Sequence, residues 1–244
     1  MAAMFVRGLI FLLAVGVTVP AMAQIPDEFK NLQFFPEDMS RGELIGAMRH
    51  FSFALGVRCQ HCHLGGDGVS FEGVEFDKDG PTKKKARFML RMTRNLNEEV
   101  LTEIPERDTP PLRIECKTCH RGQSKPMLLT QEMRLASDAN GVEAGIDRYR
   151  KLREESEHAG AFDFREWEVN TLAEDLRKED RAQDAIAIYE LNQEFFPESV
   201  SIAMALGSLY ESVDDTAAAI KNYERVLAAS SDHEGAQARL DALR

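Results

Sequence analysis

The chain has 244 residues, of which 43% are hydrophobic and 29% are charged, so it can form one large core or two small ones. Its formal net charge of −11 excludes the strongly basic surface that DNA- and RNA-binding proteins use. All of the acidic excess follows residue 135, where 12 basic and 24 acidic residues occur, and this asymmetry indicates two modules.

The first 23 residues have the pattern of a cleaved secretory signal. One basic residue, Arg7, precedes an apolar run from Gly8 to Val19, and the small-residue site Ala21-Met22-Ala23 follows. A membrane span needs about 20 apolar residues, and this run is shorter. We therefore expect cleavage after Ala23 and a mature protein in the bacterial periplasm, the alternative being an uncleaved N-terminal anchor.

A first amphipathic helix is predicted over Arg41–Leu55. Ser40 and Glu43 form an S-x-x-E capping box at its start, and Gly56 favours its end. Met48 lies at the centre of an apolar stripe with helical spacing, 11 residues before the first cysteine. Such a methionine is either an axial metal ligand or a packed core residue. His50 is a rival ligand on a different side of the helix.

The four cysteines form two C-x-x-C-H motifs, which are the sequences that attach c-type haem. In each motif two thiols add to the vinyl groups of the porphyrin, and the adjacent histidine binds the iron. The motifs therefore predict two covalent haems, with the attachment and ligand residues Cys59, Cys62, His63, Cys116, Cys119 and His120. Three alternatives are a four-cysteine zinc site, disulfides and a thioredoxin-like redox pair.

A second helix is predicted between the motifs, over about Pro81 to Leu101. Met89 shares its apolar face and is the predicted axial ligand of the second haem, and Met92, near the edge of that face, is the runner-up. Lys83, Lys84 and Lys85 form a basic run in its first turn. This run is expected to be a solvated surface, although a docking patch or a contact with haem propionates is the functional alternative.

The segments Met48–His63 and Ala86–Gly122, with their helix, turn and C-x-x-C-H motif, resemble the haem units of the cytochrome subunit of photosynthetic reaction centres. The resemblance covers about residues 31–126, and it implies that Met48 and Met89 are the distal ligands. Members of that family typically bind four haems, whereas this chain has two motifs. The chain thus resembles half of that subunit joined to another module.

The second half contains an internal repeat with a period of 34 residues. Ala185-Ile186-x-x-Tyr189 recurs as Ala219-Ile220-x-x-Tyr223, and this period is typical of tetratricopeptide helix pairs. Gly145–Tyr149 is predicted to be a degenerate helix of an earlier repeat. The repeats either form a docking groove for a partner or cover haem surface, since a short repeat array needs a neighbour on which to pack.

Together these patterns predict an all-α protein with a signal peptide at 1–23, a dihaem module at 24–135 and a tetratricopeptide-like module at 136–244. The predicted function is electron transfer through two haem c irons to or from a redox partner protein, for which a membrane-bound electron-transfer complex is one candidate. An enzyme such as a peroxidase, or a haem-based sensor, is the alternative, because either would need an open sixth position at iron. A third possibility is an assembly scaffold with structural haems. The sequence does not indicate an oligomeric state.

Overall fold

The computed structural model describes residues 25–26, 28–156 and 160–244. This part of the chain contains ten α-helices and one two-stranded sheet, which confirms the predicted all-α class. The predicted signal peptide, residues 1–23, lies outside the described residues. Across the described ranges, no helix is both long and apolar enough to cross a bilayer.

The described chain divides into two compact units. The first unit contains residues up to Ile45 and the segment Arg58–Arg94, and the second contains Gly46–Val57 and Asn95–Arg244. The predicted modules, 24–135 and 136–244, remain a prediction about organisation.

Helix α1 spans Arg41–Leu55, as predicted from the sequence. The capping box is present, because the Ser40 amide donates to Glu43 Oε2 at 3.0 Å and the Glu43 amide donates to Ser40 Oγ at 3.3 Å. Gly56 follows α1 with a φ of +66°, a left-handed conformation that favours glycine. The α1 carbonyl of Ala54 accepts a bond from the Gly122 amide at 2.9 Å.

Between α1 and the next helix, the first unit contains a 3₁₀ turn and a small hairpin. The 3₁₀ turn spans Cys59–His61, and strand β1, Leu64–Gly65, pairs antiparallel with β2, Val74–Glu75. Helix α2 then spans Pro81–Glu98, and a second 3₁₀ turn spans Val100–Glu103. The predicted end at Leu101 was therefore too late, because the last turn tightens into 3₁₀ geometry.

The second unit holds the remaining helices. Helix α3 is short, Cys116–His120, and the others are α4, Leu129–Asn140; α5, Val142–Ser156; α6, Glu166–Lys178; α7, Ala182–Phe195; α8, Val200–Ser212; α9, Thr216–Ala229; and α10, Glu234–Leu243. Successive helices pack as the hairpins α4–α5, α6–α7 and α8–α9, and α10 packs on α9. The predicted helix at Gly145–Tyr149 lies within α5.

The 34-residue sequence period recurs in this helical array. Helices α6, α8 and α10 begin at Glu166, Val200 and Glu234, each one period after the last. A small residue allows close packing inside the α8–α9 hairpin, because a Cβ at Gly207 would lie 2.6 Å from the ring of Tyr223. Buried residues at equivalent positions of successive repeats therefore stabilise the packing of the helices.

Candidate functional site

The first C-x-x-C-H motif is shaped by one backbone carbonyl. The carbonyl of Cys59 accepts hydrogen bonds from the amide of Cys62 at 3.2 Å and the amide of His63 at 3.1 Å. This tight turn holds the two thiols and the histidine in one short loop. No disulfide forms, because both cysteines are free thiols. The predicted residues Cys59, Cys62 and His63 are thus grouped in the first unit.

His63 lies in an apolar environment in the first unit. Its ring centroid is 5.0 Å from that of Phe76, and the Phe76 centroid is 5.9 Å from that of Phe71. Burial and then the charge of Lys83 lower the pKa of His63, and the Phe76 main chain partly opposes this shift. Even so, the buried Nδ1 of His63 makes no hydrogen bond to any described residue. A neutral imidazole with an unpaired ring nitrogen suits a metal ligand.

The second motif forms a helical turn of its own. The long loop before it is closed by Asn97, whose side chain donates to the Ile114 carbonyl at 2.8 Å and accepts from the Ile114 amide at 2.8 Å. The amide of Glu115 then donates to Thr118 Oγ1 at 3.0 Å and caps α3. Arg121 ends α3 with a φ of +48°. These contacts group Cys116, Cys119 and His120 on five consecutive residues of the second unit.

His120 is oriented by a hydrogen bond that His63 lacks. Nδ1 of His120 lies 2.8 Å from the carbonyl oxygen of Gln123, so the ring donates from Nδ1 and Nε2 keeps its lone pair. Iron-binding histidines are usually fixed in this way by a partner on the second nitrogen. The side chain of Gln123 in turn donates to the carbonyl of Ala161 at 3.1 Å. The imidazole ring of His120 is therefore anchored in the helical part of the second unit.

Two clefts of the second unit adjoin each other, because both are lined by Arg121, Phe162 and Asp163. The smaller, about 150 Å³, is lined by Cys119 and by Met127, a methionine that the sequence analysis did not single out. The larger, about 460 Å³, has three basic residues in its wall, Arg121, Arg153 and Arg165. Sequence reasoning that considers only the methionines before each C-x-x-C-H motif misses Met127, because this residue follows the second motif.

The predicted distal methionines occupy the predicted helices. Met48 is half-buried on α1, and His50 is exposed. On α2, Met89 and Met92 have similar exposed fractions, 43% and 41%, so burial does not separate the two candidates. The assignment of Met48 and Met89 as distal ligands remains a prediction.

The residues of both motifs fit covalent haem. Each motif offers two free thiols and one histidine with an available ring nitrogen, which is the donor set that haem c requires. Large apolar side chains are also exposed on the methionine-bearing helices, including Phe53 at 80% and Phe88 at 59%. In the described part of the chain, no cluster of three or more His, Cys, Asp or Glu side chains could hold a metal ion.

Comparison with known proteins supports the same chemistry for the N-terminal part. Residues 24–136 match the family described as photosynthetic reaction centre cytochrome C subunit. The photosynthetic reaction center cytochrome c subunit of Rubrivivax gelatinosus is 37% identical over 106 residues, which cover 40% of this chain and 26% of that protein. The subunit of Thermochromatium tepidum is 28% identical over 116 residues, which cover 44% of this chain and 27% of that protein.

Cytochrome c-554 of Chloroflexus aurantiacus is also similar, at 32% identity over 98 residues, 36% of this chain and 22% of that protein. The chain thus spans about a quarter of the length of the curated relatives it matches. The family resemblance predicted from the sequence is confirmed for the matched segment.

Proposed function

We propose that this protein is an electron carrier with two covalent c-type haems, because residues 24–136 match the family described as photosynthetic reaction centre cytochrome C subunit. The observation that carries the proposal is the pair of C-x-x-C-H motifs in which each histidine keeps a ring nitrogen available. When bound, haem supplies an iron that alternates between the ferric and ferrous states. The protein holds the group and sets the environment of the iron.

Each motif has a defined part in holding its haem. The thiols of Cys59 and Cys62 would form the thioethers of the first haem, and those of Cys116 and Cys119 would form the thioethers of the second. His63 and His120 would be the proximal ligands. Burial raises the pKa of Cys62 and of Cys116, which keeps these thiols protonated before attachment.

Met48 and Met89 are proposed as the distal ligands of the first and second haem. Their support is the spacing from each motif and the family's helix-turn-motif order. A thioether is neutral and soft, so it favours the ferrous state and raises the potential. We expect at least one haem with a positive midpoint potential. Two haems well below zero would contradict methionine ligation at both sites.

The proposed location is the periplasm, after removal of the signal peptide at 1–23. The proposed partners are redox proteins, including a membrane-bound electron-transfer complex, since two of the relatives are named as reaction center subunits. The acidic residues after residue 135 would steer a basic partner towards the protein. Association should then slow as ionic strength rises, and a salt-independent rate would contradict this steering.

The helical array after residue 135 is proposed to be a tetratricopeptide-like module. Its support is the 34-residue period, which appears in the sequence and in the helix starts Glu166, Val200 and Glu234. The contact of Gln123 with Ala161 favours a role in holding the second haem-attachment loop. A docking groove on the same module would be an additional role.

Spectroelectrochemical titration of the haem-loaded protein tests the proposed function. We expect two reversible one-electron steps, a low-spin ferric spectrum and no binding of cyanide at low concentration, because both irons have two protein ligands. Met48→Ala is a matched control, since opening the sixth position should create a high-spin, cyanide-binding haem. A high-spin wild-type protein that binds cyanide would instead support the haem enzyme or sensor.

A further inference from the structure

The three lysines at the start of α2 have different environments. Lys84 and Lys85 are exposed, as expected for a solvated basic run. For Lys83 this expectation is wrong, because its side chain is only 13% exposed. Its Nζ donates to the carbonyl of Phe76 at 2.8 Å and to the carbonyl of Lys78 at 3.2 Å. The lysine charge is thus fixed against the backbone of the loop that precedes α2.

This charge is only partly neutralised by nearby acids. Asp79 Oδ1 lies 3.6 Å from Lys83 Nζ, but Asp79 Oδ2 also accepts a bond from the buried Arg87 at 2.5 Å. Asn31 donates a further bond to Asp79 at 2.9 Å. Two cations therefore share the Asp79 carboxylate, so the cluster Lys83–Asp79–Arg87 has a net positive charge, and the nearby Asp77 carboxylate offsets part of it. Burial reduces the screening of this charge by water.

The cluster lies next to the first iron-binding histidine. Phe76 links the two: its carbonyl oxygen accepts the Lys83 bond, and its ring centroid is 5.0 Å from that of His63. The Phe76 contact thus places the Lys83 charge close to the first iron-binding histidine.

We propose that Lys83, held beside His63 by the Phe76 carbonyl, sets the reduction potential of the haem attached at Cys59 and Cys62. Reduction adds one electron from the redox partner to the ferric iron and lowers the charge of the haem by one. A fixed cation nearby stabilises the reduced form, so the potential rises. Lys83 acts through the field and not as an iron ligand. The inference rests on the proposed function.

The run of three lysines provides its own controls for a test. Potentiometric titration of the full-length, haem-loaded protein would compare Lys83→Met with Lys84→Met and Lys85→Met. We expect Lys83→Met to move one of the two potentials in the negative direction and to leave the other in place. The wave that moves should be the one lost when Cys59 and Cys62 are replaced by alanine.

High salt and a charge-conserving variant separate a buried field from a surface effect. At 1 M salt, where the Debye length is about 3 Å, any shift from Lys84→Met should vanish and that from Lys83→Met should persist. Lys83→Arg should retain the wild-type potential. If Lys83→Met does not fold, Asp79→Asn tests the opposite change in charge. Removing the carboxylate that Lys83 and Arg87 share should raise the potential of the first haem.

The inference is overturned if Lys83→Met shifts the potential no more than Lys84→Met, or if Asp79→Asn leaves the potential unchanged or lowers it. Its failure is distinct from failure of the proposed function. Two reversible haem waves in the wild-type protein with no effect of Lys83 would refute only the inference. A wild-type protein without reversible haem waves would refute the proposed function itself.

Discussion

Replacing Gly56 with alanine should destabilise the protein through one backbone contact. Gly56 ends α1 with a φ of +66°, and a Cβ at this position would lie 2.0 Å from the carbonyl oxygen of Gly122. Gly122 follows the second motif, and its amide is bonded to the Ala54 carbonyl at 2.9 Å. Relief of the overlap must therefore move either the end of α1 or the loop after His120.

The loss of stability expected for Gly56→Ala has two parts. The left-handed conformation costs an L-residue about 1–2 kcal/mol. Overlap with a backbone atom that cannot rotate away adds about 1–3 kcal/mol, the usual cost of overpacking. Gly122→Ala is the matched control, because Gly122 has a φ of +87° and nothing within 4 Å of its added Cβ. The difference between the two variants therefore isolates the contact.

Thermal unfolding followed by circular dichroism measures this difference. About 1 kcal/mol corresponds to about 2–4 °C for a chain of this size, so Gly56→Ala should unfold about 2–12 °C below Gly122→Ala. Occupancy of the second haem should also fall in Gly56→Ala. Equal unfolding temperatures for the two variants would refute the close approach of α1 to the Gly122 carbonyl.

Three other predictions concern ligands, packing and pH. Met48→Leu and Met89→Leu should each weaken the far-red ferric absorption band that methionine ligation produces, and an unchanged band would contradict the assignment. Gly207→Ala should destabilise the protein by about 1–3 kcal/mol because its Cβ meets the Tyr223 ring 2.6 Å away, whereas Gly46→Ala, with an open environment in α1, should not; equal denaturant midpoints would contradict this. Burial and then the Glu211 hydrogen bond raise the pKa of Tyr223 from 10.0 to about 12. The folded state therefore holds this proton more tightly, and its stabilising effect should be lost as the pH rises from about 10 to about 12. The melting temperature of Tyr223→Phe should therefore fall less than that of the wild type over this pH range. Identical pH profiles for the two proteins would contradict the prediction.

Local sequence signals were sufficient for much of the helical framework. The capping box at Ser40 and the glycine at position 56 fixed both ends of α1, because each satisfies backbone geometry within a few residues. Pro197 follows the end of α7 at Phe195, because proline lacks the amide hydrogen that would continue a helix. The 34-residue period predicted the spacing of the later helix pairs. The C-x-x-C-H motifs likewise needed no tertiary information.

The environments of the ligands depend on contacts that local patterns do not encode. Lys83 and Lys84 are adjacent and identical in type, yet only Lys83 reaches the Phe76 carbonyl. His63 and His120 occupy the same motif position, yet only His120 has a hydrogen-bond partner for Nδ1 among the described residues. These differences arise from the hairpin before α2 and from the turn at Gln123, which bring together residues from separate segments.

The haem content of the purified protein tests the central claim most directly. The chain would be produced in a bacterium that attaches haem in the periplasm, and a pyridine haemochrome assay would be compared with the protein concentration. The account predicts two covalently bound haems per chain, falling to one when Cys116 and Cys119 are replaced by alanine. No covalent haem, or zinc bound by the cysteines in its place, would contradict the account.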